Sequence, residues 1–120
     1  MTETLSPGDI ILVALPVNEP RGREQEGTRP AVVVGIPEGQ VRFPMLVVAP
    51  LTTQKGDWVE ANLLLYPTLT DGMGGLTRDS VVLLDQIRAV DARRMMSYIG
   101  SLTPEDYEPI LIGMKQIFRL

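Results

Sequence analysis

A chain of 120 residues, 44% apolar and 22% charged, fits one globular domain with a single modest core and argues against disorder. It contains no cysteine and no histidine, which removes disulfides, thiol nucleophiles, Cys-bound zinc, the Ser-His-Asp triad and nearly every transition-metal site. The net charge of −4 speaks against a general nucleic-acid coat, yet all the cations but Lys55 and Lys115 are arginine. Arginine suits forked contact with phosphate or carboxylate; arginine-rich genomic composition is the competing explanation.

The first apolar run, Ile10 to Leu15, lacks a preceding basic flank and is too short for a signal peptide. No apolar stretch approaches the ~20 residues that cross a bilayer. The expectation is a soluble, cytoplasmic chain without membrane contact.

In chain order, residues 1–7 read as a loose start. Asp9 to Leu15 is β-branched and bounded by glycine and proline, which predicts a strand. Residues 16–30 carry Pro16, Pro20, Gly22, Gly27 and Pro30 around a charged middle, and predict a long loop. Strands follow at 31–36 and 43–52, with turns at 37–40 and 53–56. Trp58 to Tyr66 alternates through Val59, Ala61, Leu63 and Leu65, which predicts a fourth strand. Residues 67–79 predict a second long loop. Ser80 to Leu84 predicts a fifth strand that continues to Val90.

Asp91 is a candidate N-cap for a short helix over Ala92–Met95, and 96–101 reads as a last short strand. Thr103, Pro104, Glu105 and Asp106 combine a hydroxyl cap, a first-turn proline and acids at the positive end of a helix dipole. Tyr107, Ile110, Leu111, Met114, Ile117 and Phe118 then line one helical face. Pro109 removes a backbone donor and predicts a kink or a delayed start. The sum is a mainly β fold of about five or six strands, then a C-terminal amphipathic helix. Several strands are apolar on consecutive residues, which calls for cover on both faces.

Three segments can bear chemistry. Arg21, Arg23 and Arg29 share a glycine-punctuated loop with Glu24, Gln25 and Glu26, and Pro30 fixes the backbone behind Arg29. Thr52, Thr53 and Gln54 leave a strand together, a group suited to a phosphate or a base. Asp85, Gln86 and Arg88 combine an acceptor, an amide and a fork. Plain alternatives are a solvated Arg–Glu loop and a simple strand exit. Asp71 to Gly75 lacks the ending and frame of a phosphate loop, and Asp79, Asp85 and Asp91 are too scattered for a metal site. No cofactor or metal is expected.

Taken together, Gly8-Asp9-Ile10, Arg21-Gly22, Glu24-Gln25, Gly27, Arg29-Pro30, Pro50-Leu51-Thr52-Thr53, Asp79-Ser80-Val81, Asp85-Gln86-Ile87-Arg88, Val90-Asp91 and Arg94 form an ordered set. Over roughly residues 7–118 the chain resembles the MazF/PemK toxins. The resemblance implies a small SH3-like β-barrel with helices, working as a homodimer. It implies a sequence-specific, ribosome-independent and metal-independent endoribonuclease, the toxin of a toxin–antitoxin pair. Such enzymes cut single-stranded RNA to a 2′,3′-cyclic phosphate and a 5′-hydroxyl. Arg29 and Thr52 match the family's catalytic positions, Glu24 and Gln25 lie near the RNA in it, and Asp85 matches an aspartate of the PemK-like branch. Leu83 stands where that branch has an arginine, and its loop histidine is absent.

The candidate catalytic residues are therefore Arg29, Thr52, Glu24 and Asp85. The candidate RNA-binding residues are Arg21, Gln25, Thr53, Gln54, Gln86 and Arg88. Glu24 and Asp85 are alternatives for the general base, a role that needs burial to raise a carboxyl toward working pH. The expected partners are single-stranded RNA and an antitoxin protein with a disordered acidic and apolar tail, and no DNA contact is expected for the chain alone. The competing reading is an inactive barrel that binds RNA or an antitoxin-like peptide.

Overall fold

The computed structural model describes residues 5–17 and 22–120. Among them run β1 (Asp9–Leu15), β2 (Gly27–Gly35), β3 (Met45–Thr52), α1 (Asp57–Ala61), β4 (Thr68–Leu69), β5 (Ser80–Val82), β6 (Arg88–Asp91), β7 (Met95–Ser101) and α2 (Pro104–Phe118). The strands pair antiparallel in the order β4-β5-β3-β2-β1-β7, and β6 also pairs with β3. The result is a half-barrel carrying a C-terminal helix, which meets the expected fold class.

The consecutive valines of β2 have the predicted cause. The central strands are covered on both faces, by two separate apolar clusters. Ile11, Val13, Ala31, Val33, Leu46, Val48 and Val90 fill the first. Ile10, Val32, Ala49, Leu51, Val82, Leu84 and Ile110 fill the second, which α2 helps to close. Alternation along each strand therefore assigns every side chain to one cluster or the other.

Four expectations change. The loop expected through residue 30 ends earlier, because β2 begins at Gly27 and its polar start pairs with β1 as Val13↔Arg29 and Leu15↔Gly27. Residues 58–66 are not a strand: they form α1 and then turns closed by Leu65 N–H and Tyr66 N–H on the Asn62 carbonyl (3.1 and 3.0 Å). The alternation there was not a burial period, since Val59 is buried while Ala61 and Leu63 are exposed. The edge of β3 that such a strand needs is held by β5 and β6. The fifth strand does not run on to Val90. A 3-10 turn over Leu84–Gln86 interrupts it, sending Leu84 to the second cluster and Val90 to the first. The 67–79 segment is not a free loop. It holds β4 and a 3-10 turn over Met73–Gly75, and buries Leu69 and Leu76 in the second cluster.

Local signals were read correctly at two caps. The Thr103 hydroxyl accepts from Asp106 N–H at 3.1 Å, and α2 starts at Pro104. Pro109 does not delay it; the carbonyl deprived of a donor belongs to Glu105, an exposed residue. Asp91 caps a 3-10 turn over Ala92–Arg94, one residue shorter than the expected helix because Met95 opens β7, and accepts from Arg93 N–H at 2.9 Å and from the Arg93 guanidinium at 3.1 and 2.9 Å. Those bonds hold the Asp91 carboxyl at about 2, below its ordinary 3.8. A depressed carboxyl favours the folded chain above its ordinary value and loses that contribution as pH falls toward 2. NMR titration is expected to give a midpoint of about 2 for Asp91, and Arg93→Ala to move it up toward 3.8. A midpoint unchanged by the substitution would contradict the assignment.

Near the start of the described chain, Asp9 is buried and accepts from Ser6 N–H (2.9 Å) and the Ser101 hydroxyl (2.7 Å), tying that end to β7. Among the described residues no helix is long and apolar enough to cross a membrane.

Candidate active site

Arg29 and Thr52 come from neighbouring strands. The β2–β3 ladder pairs Ala31 with Pro50, Val32 with Ala49 and Val33 with Val48. Arg29, paired with Val13 of β1, and Thr52, paired with Val81 of β5, lie two residues beyond the end of that ladder. Both fall on one face of the sheet. Arg29 alternates with Ala31 and Val33, and Thr52 with Leu46 and Val48, all members of the first cluster. Arg88 joins them, because the β3–β6 ladder sets it opposite Val48. One guanidinium, one hydroxyl and a second guanidinium thus share a face.

Their local bonding leaves them usable. Arg29 is exposed, and its Nε–H donates to the Glu26 carbonyl at 3.1 Å, which fixes the guanidinium against its own loop. Thr52 Oγ1 accepts from Gln54 N–H at 3.1 Å. A hydroxyl that accepts there still has its own hydrogen to donate. Thr53 and Gln54 are exposed. Thr53 lines a shallow cleft of about 400 Å³ with Lys55, Arg78 and Asp79. Asp79 accepts from Asp71 N–H at 2.7 Å and pairs with Lys55 at 3.5 Å. The backbone bond first, and Lys55 after it, hold the Asp79 carboxyl below its ordinary value.

The 22–27 loop is stapled to the turn between β5 and β6. Gln86 Oε1 accepts from Gln25 N–H at 3.2 Å, and Gln86 Nε2 donates to the Arg23 carbonyl at 3.2 Å. Arg88 Nη1 donates to the Gln25 carbonyl at 3.3 Å. The two segments are some sixty residues apart in sequence, so nothing local signals the contact. Gln86 and Arg88 were expected to meet RNA; in this state the Gln86 amide serves the loop at both ends, while Arg88 spends one donor on it. The Gln25 side-chain oxygen is buried without a hydrogen-bond partner among the described residues. An unmet buried acceptor is costly, and an arriving donor would relieve it.

Asp85 lies in the turn just before Gln86, and it is exposed, as is Glu24. The burial that a general base was expected to use is absent at both. Arg21 lies outside the described residues.

The sequence did not point to Tyr66 and Trp58. The Tyr66 hydroxyl donates to Asp85 Oδ2 at 2.7 Å. That bond, with smaller contributions from burial and the carboxylate charge, raises the hydroxyl above its ordinary 10.0. Trp58 meets Tyr66 edge-to-face, with ring centroids 4.8 Å apart and planes at 82°. Read as alternating strand residues, these two side chains were neighbours of nothing. The missed signal was the acid-rich helix start at Asp57 and Glu60. Among the described residues no group of three or more Asp or Glu side chains is placed to hold a metal ion.

The fold and the sequence agree with known proteins. The chain superposes on MazF from Deinococcus radiodurans with a TM-score of 0.72, at 18% identity, covering 97% of each chain. It superposes on an endoribonuclease from a mycobacterial species, solved in complex with its cognate antitoxin, with a TM-score of 0.64 at 18% identity, covering 97% of this chain and 94% of that one. At such identity the likeness establishes the fold. In sequence, it is 36% identical over 84 residues to endoribonuclease EndoA of Bacillus subtilis (strain 168), covering 70% of each protein. Residues 6–118 match the family described as PemK-like, MazF-like toxin of type II toxin-antitoxin system, and the chain belongs to that family.

Proposed function

We propose that this protein is the endoribonuclease toxin of a type II toxin–antitoxin pair, and that it cleaves single-stranded RNA at the face bearing Arg29 and Thr52. The observation that supports the site assignment is strand alternation, since Arg29 follows the parity of Ala31 and Val33 on β2 and Thr52 that of Leu46 and Val48 on β3. Relatives that bear the name endoribonuclease, in sequence and in fold, support the activity.

The chemistry follows from the side chains. The 2′-oxygen of the nucleotide before the cut attacks phosphorus, and its proton passes to a carboxylate. The bond from phosphorus to the 5′-oxygen breaks, and that oxygen takes up a proton. The products are a 2′,3′-cyclic phosphate and a 5′-hydroxyl. Charge builds on the non-bridging oxygens during this step. A fixed guanidinium from Arg29 and the Thr52 O–H stabilise it, most strongly where bound RNA excludes water. Arginine stays charged, so its role is electrostatic. Glu24 and Asp85 are the two carboxylates for the proton. RNA bound over either one would supply the desolvation that the free site lacks.

The partner is an antitoxin, as in the mycobacterial complex. The working form is a homodimer in the cytoplasm.

The test is cleavage of a long RNA by the purified protein, followed by primer extension. Cutting is expected to persist in excess chelator, and a strand with 2′-deoxyribose at the cut position is expected to survive. Loss of cutting on chelation, or cleavage of the deoxy-substituted strand, would refute the mechanism. Binding of RNA with no cleavage on several substrates would favour an inactive binding barrel instead.

A further inference from the structure

We infer that Trp58 and Tyr66 form an aromatic platform on which a base of the RNA strand stacks beside the reacting phosphate. The inference rests on the RNA-cleaving function proposed above and adds a specificity element to it.

The placement comes from three contacts. Tyr66 bonds Asp85, in the β5–β6 turn whose next residue, Gln86, holds the 22–27 loop. Trp58 leans on Tyr66. Trp58 also lies against Gly56, where a Cβ would sit 2.7 Å from its Nε1 and 2.8 Å from its Cδ1. Gly56 is four residues past Thr52, so the indole bridges from the exit of β3 to the turn bearing Asp85. The platform therefore borders the candidate active site on one side.

The chemistry suits a nucleobase. The chain has one tryptophan and three tyrosines, and this edge-to-face pair uses the tryptophan with one of the tyrosines. An edge-to-face contact engages the edge of one ring and a face of the other, so a π-face remains for a third ring. Trp58 is 40% exposed, although it is the largest apolar side chain present. Single-stranded RNA presents unstacked bases, and proteins capture them on aromatic side chains. Gly56 admits the indole because it has no Cβ.

The experiment uses the full-length protein and a single-stranded RNA decamer spanning the mapped cut, 2′-O-methylated at the attacking nucleotide so that it binds without being cleaved. Trp58 is the sole tryptophan, so its fluorescence reports the platform directly. Saturating decamer is expected to quench it. Trp58→Ala is expected to weaken binding about ten- to a hundredfold, and on the cleavable strand to raise KM more than it lowers kcat. Trp58→Phe is expected to recover most of the affinity, and Gly56→Ala, which keeps the indole but displaces it, to weaken binding in the same direction. Wild-type cleavage with no quenching, or with Trp58→Ala binding within twofold of wild type, would overturn the platform and leave the nuclease reading standing. A wild-type protein that neither cleaves nor binds RNA would overturn both.

Discussion

Arg29→Ala is expected to lower the rate of RNA cleavage about a hundred- to a thousandfold, the usual effect of removing one donor from a developing oxyanion. The fold should survive, because Arg29 is exposed and its side chain bonds only the Glu26 carbonyl among the described residues. Circular dichroism and melting temperature are therefore expected to match wild type while kcat falls. Arg29→Lys is not expected to restore the rate, since an ammonium lacks the planar fork. Thr52→Val, which keeps the shape and removes the hydroxyl, is expected to act in the same direction. Cleavage by Arg29→Ala within tenfold of wild type would remove Arg29 from the reaction.

Gly113→Val is expected to destabilise the protein by about 1–3 kcal/mol or more, because it forces side-chain volume into a closed seat. Gly113 is the point at which α2 rests on the chain below. A Cβ there would fall within contact distance of the Leu64 carbonyl oxygen and of Leu84 Cδ1. The carbonyl belongs to the turns after α1 and cannot swing aside as a side-chain tip can. Leu84 belongs to the second cluster, as does Ile110 one turn earlier on the helix, so displacing α2 opens that cluster. For a chain of this size the loss corresponds to a fall in Tm of about 3–15 °C. Differential scanning calorimetry measures it directly. An unchanged Tm would mean that α2 shifts along the sheet at no cost.

Much of the architecture was legible because it depends on local chemistry. β1 is a β-branched run with clear bounds. The caps at Asp91 and Thr103 are single side chains meeting their own backbone. The double-sided cover of the sheet followed from valines that do not alternate. Residues 58–66 were misread because α1 is only five residues long and Val59 alone of its members is buried. One buried side chain carries no helical period, and the chance alternation of Leu63 and Leu65 then decided the reading. The candidate site was legible in part. Arg29 and Thr52 emerged from an ordered set of short motifs, but the β2–β3 pairing that brings their strands side by side is a long-range fact. The Gln86 and Arg88 staples, and the Tyr66 bond to Asp85, join segments with no shared pattern, so sequence offered no route to them.

The valines of β2 have a further effect on how the strand finds its place. Ala31, Val32 and Val33 are all fully buried, the first and third on one side and the second on the other. Slippage by one residue would exchange one valine for another at little hydrophobic cost, whereas in a half-solvated strand it would drive polar groups inward. It would also carry Arg29 to the opposite side of the sheet. Alignment must therefore come from residues that tolerate no substitute position. Pro30 offers no amide and sits opposite Leu12, Gly27 takes a left-handed φ of 85° opposite Leu15, and the ladder is irregular between Val33 and Gly35. A variant that relaxed these anchors is expected to keep valines buried on both sides and to present its arginine on the wrong one.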